Sequence, residues 1–249
     1  MKVTLLQQDI IWKSVAENIH QAQLSILASP GSDLYVLPEM WATGFAVNPD
    51  ELNEDEANDC LEWMKDMSAQ TNAAIAGSLA VRDNADGSFR NRFYFVKPDG
   101  TIDYYDKHHL FSYGGENNNY KPGNNRVITE WKGVRFLLLV CYDLRFPVWS
   151  RNDDDYDAII YTASWPTSRI EVWRTLLKAR ALENQCYVLG VNRIGTDPNC
   201  QYCGSTMFVD PYGRATQCAD NEQASLTMDI NMAKLEAFRT KFPVLKDRD

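Results

Sequence analysis

The chain has 249 residues, 45% of them hydrophobic and 24% charged, enough apolar material for a large core and no sign of a disordered composition. Its formal charge of -9 sets up a field that repels nucleic acid and anionic membrane surfaces. No stretch approaches the roughly 18 uninterrupted apolar residues of a membrane span, and no signal peptide precedes the first strand, so a single cytoplasmic domain over residues 1–249 is expected.

Residues 2–7 read as a strand, and Ser14 with Glu17 three positions later forms a capping-box pattern at the start of a helix. Val15, Ile19, Ala22 and Ile26 keep one apolar face along that helix until Ser29-Pro30-Gly31 ends it. A second buried strand, 33–37, stops at Pro38-Glu39. A helix over 54–70 follows, with Ala57, Leu61, Met64 and Met67 at helical spacing. Residues 73–80 are strand-like, 93–96 pair back across Asp86-Gly87, and 102–105 resume after Pro98-Asp99-Gly100. The Gly- and Asn-rich segment 112–125 is too irregular for a regular element and long enough to be a functional loop.

Residues 134–140 then form an almost wholly apolar run, the pattern of a strand buried on both faces, which ends at Cys141. Asp143, Arg145 and Pro147 cannot prolong it, so the thiol stands at a sheet rim, where α/β folds place ligand crevices. Arg145 is expected to buttress that turn. Further strands are predicted over 158–162, 187–191 and 205–209. A helix over 171–184 carries Trp173, Leu177 and Ala181 on one face. Short buried strands alternating with amphipathic helices argue for α/β layering, while the strand order stays open.

Three reactive side chains follow extended segments: Glu39, Lys107 and Cys141. If those strand ends share one rim, the three meet. A thiol with an unperturbed pKa near 8.5 is only a few per cent thiolate at neutral pH, so it needs a base and a cation nearby. Glu39 suits the base. Lys107, with the backbone N–H of Tyr142, suits the stabilisation of an oxyanion.

Pro38-Glu39-Met40, Asp106-Lys107-His108-His109-Leu110-Phe111 and Cys141-Tyr142-Asp143-Leu144-Arg145-Phe146-Pro147 resemble, in order, the three catalytic motifs of the nitrilase superfamily of carbon-nitrogen hydrolases. The likeness extends from residue 2 to about residue 229. It implies a four-layer α-β-β-α sandwich, a Glu-Lys-Cys triad, no cofactor or metal, and a homodimer or larger homo-oligomer. Glu116 resembles the auxiliary acid of that family.

The fuller strings around Cys141 and Ser164-Trp165-Pro166 look most like the omega-amidase branch, which implies hydrolysis of the terminal amide of 2-oxoglutaramate or 2-oxosuccinamate. Such a small-molecule substrate carries a carboxylate that needs a local cation. Arg169 is the first candidate and Arg193 the second, with Tyr113, Trp165 and Tyr202 as pocket walls. Another amide or an N-carbamoyl compound is the alternative within the superfamily. From a different class, the Cys200-Gln-Tyr-Cys203 pair suggests a non-enzymatic thiol or zinc module, although a lone pair supplies few ligands.

Overall fold

A computed structural model describes residues 1–248. The first half runs β1 (Lys2–Gln7), α1 (Val15–Leu27), β2 (Leu34–Val36), α2 (Glu54–Thr71), β3 (Ala74–Arg82), β4 (Phe89–Val96) and β5 (Ile102–Asp106). Next come α3 (Glu116–Asn119), β6 (Ile128–Trp131), β7 (Val134–Val140), β8 (Ala158–Ala163), α4 (Ile170–Glu183) and β9 (Tyr187–Asn192). The chain then forms β10 (Ile194–Thr196), β11 (Gln201–Cys203), β12 (Met207–Val209), β13 (Ala215–Gln217), β14 (Ala224–Asp229) and α5 (Met232–Lys241).

The strands build two six-stranded sheets, ordered β14-β1-β2-β3-β4-β5 and β13-β12-β9-β8-β7-β6. Strand periodicity explains how they stack. In β1 and β2, Val3, Leu5, Leu34 and Val36 face the core between the sheets, whereas Leu6, Tyr35 and Leu37 face α1 and α2, meeting Ala22, Ile26 and Met64. On the far side α4 lays Trp173 and Leu177 against β9 at Gly190, where an added Cβ would lie 2.5 Å from Leu177 Cδ1. Helices therefore cover both outer faces, and the result is the four-layer α-β-β-α sandwich that the motifs imply. Burying each of these large side chains contributes about 1.5–3 kcal/mol, so the inter-sheet core dominates the stability.

Several elements depart from the sequence reading. Ser14 makes no cap to the backbone; its hydroxyl instead donates to the Glu17 carboxylate at 2.9 Å. Segment 112–125 contains the short α3 rather than loop alone. Five strands (β6, β10, β11, β13, β14) and α5 are additions. β14 pairs antiparallel with β1 from Lys2↔Asp229 to Gln7↔Ala224 and completes the first sheet as an edge strand of alternating exposure. α5 docks through Leu235 and through Arg239, which holds Asp157 at 3.0 Å. Among the described residues, no helix is long and apolar enough to cross a membrane.

Parallel pairing sets up the functional region. β1, β2 and β3 run parallel in one sheet, β7, β8 and β9 in the other. Glu39 follows β2, Cys141 follows β7 and Ser164 follows β8, so all three leave carboxyl ends of parallel strands, the usual site of a ligand crevice.

Candidate active site

Glu39 is fully buried just beyond β2, in a turn pinned to β3 by the Met40 N–H donating to Ser78 Oγ at 3.0 Å. Its Oε1 accepts from Lys107 Nζ and from Asn91 Nδ2, each at 2.8 Å, and its Oε2 accepts from the Ser164 N–H at 2.9 Å. Lys107 begins after β5. Its Nζ also donates to Glu116 at 2.9 and 3.1 Å, and Asn91 Nδ2 bridges to Glu116 Oε1 at 3.0 Å. Two carboxylates, one ammonium and one amide thus form a closed, buried cluster.

The scaffold around Lys107 explains the Pro122-Gly123 step. Gly123 donates its N–H to the Lys107 carbonyl at 3.1 Å, and a Cβ there would fall 2.3 Å from the Asp106 carbonyl oxygen. Only glycine lets the two backbones approach so closely. Glu116 opens α3, and its Oε2 is fixed by the Phe111 N–H at 2.6 Å.

Cys141 sits between β7 and a single helical turn, Cys141–Arg145, with φ of 44°. A left-handed backbone at a non-glycine residue costs of order 1–3 kcal/mol, and here it re-aims the side chain out of the sheet. Asp143 secures the bend. It accepts from the Val140 N–H at 3.0 Å and, from the Lys107 side, from Tyr105 Oη at 2.8 Å and the His109 N–H at 2.9 Å. His108 stacks on Trp149 and His109 on Phe146, each with ring centres 3.8 Å apart; the neighbouring histidines are packing and positioning groups.

Electrostatics follow from burial. Desolvation pushes the Cys141 thiol well above its ordinary range, and the Glu39 carboxylate adds to the effect more than Lys107 relieves it. Desolvation likewise raises Glu116, opposed by Lys107 and assisted by Glu39. Burial would lower Lys107, but the Glu116 and Glu39 carboxylates outweigh it and keep the ammonium charged. A protonated thiol therefore faces a carboxylate base, with a permanent cation alongside.

These groups open into a cavity of about 470 Å³ that also receives Tyr113, Tyr142, Arg145, Trp165, Arg169 and Tyr202. Tyr113 is 87% exposed and stands at the mouth. Tyr142 packs edge-on against Phe111 and Phe146, at 5.1 and 5.2 Å between ring centres. Trp165 is buried, its indole N–H donating to the Arg169 carbonyl at 2.8 Å. Eight of the ten positions singled out as catalytic or substrate-contacting, counting Tyr202, line this one space; Glu116 and Arg193 do not.

Arg193 is fully buried behind Tyr202, its guanidinium 4.5 Å from that ring. Its N–H groups donate to the carbonyls of Ile10, Ile194 and Thr196, and burial lowers its pKa. It braces the β10–β11 hairpin against the chain after β1. Arg145 departs in the opposite direction. Its guanidinium lies over the Trp165 ring at 5.1 Å and reaches the cavity rather than buttressing the turn.

Asn91 and Asn192 went unnoticed in the sequence, and Ser164 is noted there only within Ser164-Trp165-Pro166, not as the N–H donor to Glu39. Asn91 is a buried polar residue on the inward face of β4, a break in an otherwise apolar pattern that is the one available signal. Asn192 Oδ1 accepts from the Trp165 N–H at 2.7 Å and holds the cavity wall. Cys200 lines the cavity and Cys203 is buried behind it; both are free thiols. Among the described residues, no three metal-ligating side chains converge.

The model of the carbon-nitrogen hydrolase family matches residues 2–240. Omega-amidase YafV of Escherichia coli strain K12 is 46% identical, spanning 100% of this chain and 97% of its own. A 2-oxoglutaramate amidase of Bacillus subtilis is 34% identical over 98% of this chain and 96% of its own. A crystal structure from Xanthomonas campestris, a carbon-nitrogen hydrolase superfamily protein with an arsenic adduct in its active site, superposes with a TM-score of 0.92 at 34% identity, covering 100% of this chain and 97% of that one. With its fold, its motifs and its full-length relatives in agreement, the chain belongs to the carbon-nitrogen hydrolase family and is an amide-cleaving hydrolase.

Proposed function

We propose that the enzyme hydrolyses the terminal amide of short dicarboxylate monoamides, 2-oxoglutaramate and 2-oxosuccinamate, through a thioester on Cys141. The observation that carries this reading is the buried Glu39–Lys107–Glu116 cluster beside the thiol. The cluster supplies the base, the cation and the positioning acid that such a reaction calls for.

Glu39 takes the thiol proton as sulfur attacks the amide carbon. The oxyanion is held by Lys107 Nζ and by the Tyr142 N–H, which lies in the first turn of a helix and has no intrahelical acceptor. Collapse breaks the C–N bond, and Glu39 returns the proton to the departing nitrogen, which leaves as ammonia. Water then gives a proton to Glu39 while its oxygen attacks the thioester; the C–S bond breaks, the acid is released and the thiol regains its proton. Glu116 positions Lys107 through its two short contacts. The cycle starts from a protonated thiol, so the raised thiol pKa serves it rather than opposing it.

The full-length likeness to omega-amidases supports the substrate class. Arg169 supports it too, a cation lining the cavity that suits the substrate carboxylate, with Tyr113, Tyr142 and Trp165 as walls. We further propose a single cytoplasmic domain acting as a homodimer or larger homo-oligomer. Six free cysteines suit a reducing compartment, and exposed Val148, Leu182 and Phe242 offer apolar contact area.

An ammonia-release panel tests the assignment, covering 2-oxoglutaramate, 2-oxosuccinamate, glutamine, asparagine, short aliphatic amides, nitriles and N-carbamoyl amino acids. The two oxo-acid amides are expected to give the highest kcat/KM. Poor turnover of both, with good turnover elsewhere, removes the omega-amidase assignment and leaves the cysteine chemistry standing.

A further inference from the structure

Cys141 holds a left-handed backbone, and a strained residue keeps such a conformation only where its surroundings fix it from several sides. Asp143 fixes the entrance of the nucleophile turn, through the Val140 N–H at 3.0 Å. The exit is fixed from α4. Leu144 is fully buried near the end of the turn, and the residue three positions on is Pro147, which has no N–H to offer its carbonyl. Arg180 supplies the donor instead. From the last turn of α4, and only 3% exposed, it places Nη2 2.6 Å from the Leu144 carbonyl oxygen and Nη1 2.9 Å from Glu183 Oε1.

The same helix end ties down the segment that follows. Asn184, directly after α4, accepts the Asn152 N–H on its Oδ1 at 2.9 Å, and Asn152 Nδ2 donates to the Asn184 carbonyl at 3.0 Å. Residues 144–152 are thereby a strap fastened to α4 at both ends. Between the fastenings, Phe146 and Trp149 stack on His109 and His108, and Trp149 Nε1 donates to Tyr105 Oη at 3.0 Å. The strap therefore lies against the segment that carries Lys107, and one helix end governs how the nucleophile turn meets it. Filling a core position with a buried ion pair is no better for stability than filling it with apolar groups of like volume. A guanidinium here answers a need for direction, since a charged donor holds a carbonyl at a set place.

We propose that Arg180 is a positioning residue for the oxyanion pocket: by holding the Leu144 carbonyl it fixes the turn that aims the Cys141 sulfur and the Tyr142 N–H. It does not line the cavity and acts only through the turn. The proposal rests on the thioester reading above and adds a group outside the cavity on which that geometry depends.

Two probes of Cys141 separate aim from reactivity. Iodoacetamide needs only the sulfur, whereas glutaric semialdehyde adds the thiol across its carbonyl and places the resulting oxygen where the oxyanion forms. Arg180→Met is expected to lower kcat for 2-oxoglutaramate about tenfold to a hundredfold with little change in KM, and to weaken inhibition by the semialdehyde in parallel. Alkylation by iodoacetamide should stay within about threefold of wild type. Arg180→Lys, which keeps the charge but not the fork of donors, should recover part of both losses. Glu183→Ala, at a half-exposed position, should show the same pattern at smaller amplitude, and it carries the test if Arg180→Met does not fold. Unchanged kcat and semialdehyde inhibition in these variants, or a loss that falls equally on alkylation, overturns the positioning role and spares the thioester reading. A wild-type enzyme that neither probe inhibits overturns both.

Discussion

At the closed end of the cavity Glu39, Lys107 and Glu116 are no more than 1% exposed, and each charge is answered by another. At its mouth Arg145 and Arg169 are half-buried, rest on aromatic rings and meet no acid. The difference separates two kinds of work. Charges that must stay in a dry site are assembled as a mutually compensated set, because removing one partner leaves an uncompensated ion at a cost of about 3–5 kcal/mol. Charges meant for a ligand are left unpaired where water still reaches them, so the ligand completes the pair.

Substitutions at the two ends should therefore fail differently. Cys141→Ala is expected to give the largest effect, a loss of about 10^4-fold or more in ammonia release, with little change in denaturant midpoint because a small half-buried side chain is exchanged for another. Glu39→Gln follows, with kcat down about 10^2- to 10^4-fold. It carries a signature that a merely structural residue lacks. Since the Glu39 charge adds to the raised thiol pKa, its removal lowers that pKa, and alkylation of Cys141 by iodoacetamide at neutral pH should become faster as turnover collapses. Slower alkylation would break the assigned roles.

Lys107→Met should mix both failures, costing about 10^2- to 10^3-fold in kcat and about 3–5 kcal/mol in urea unfolding, since Glu39 and Glu116 would face each other unscreened. Asn91→Ala sharpens the comparison at its weakest edge. It removes the amide bridging both glutamates, and about a tenfold loss in kcat with KM nearly unchanged is expected. A loss confined to KM would place Asn91 on the recognition side instead.

The two ends also differ in how far the sequence reveals them. Glu39, Lys107 and Cys141 are legible because each follows an extended segment, and the motifs keep their order along almost the whole chain. Glu116 is legible by its motif despite the glycine and asparagine residues around it. Asn91 is not, because one polar residue in a hairpin strand looks like a solvated one until β3 and β5 close over it. Arginines are the hardest. Arg145 and Arg193 both stand just beyond buried strands, yet one emerges into the cavity and the other disappears behind Tyr202 to hold three carbonyls. Burial and direction are decided by elements distant in sequence. The same holds for β14, whose alternating pattern becomes a strand only because β1 presents it with an unpaired edge.

The central claim, covalent catalysis at Cys141, is tested most directly by acid-quenching the enzyme during turnover of 2-oxoglutaramate and weighing the peptide that carries this residue. A peptide heavier by the substrate less ammonia, absent in Cys141→Ala, is the predicted result. Rapid ammonia release with no such adduct, in an enzyme whose Cys141→Ala variant remains active, would contradict it.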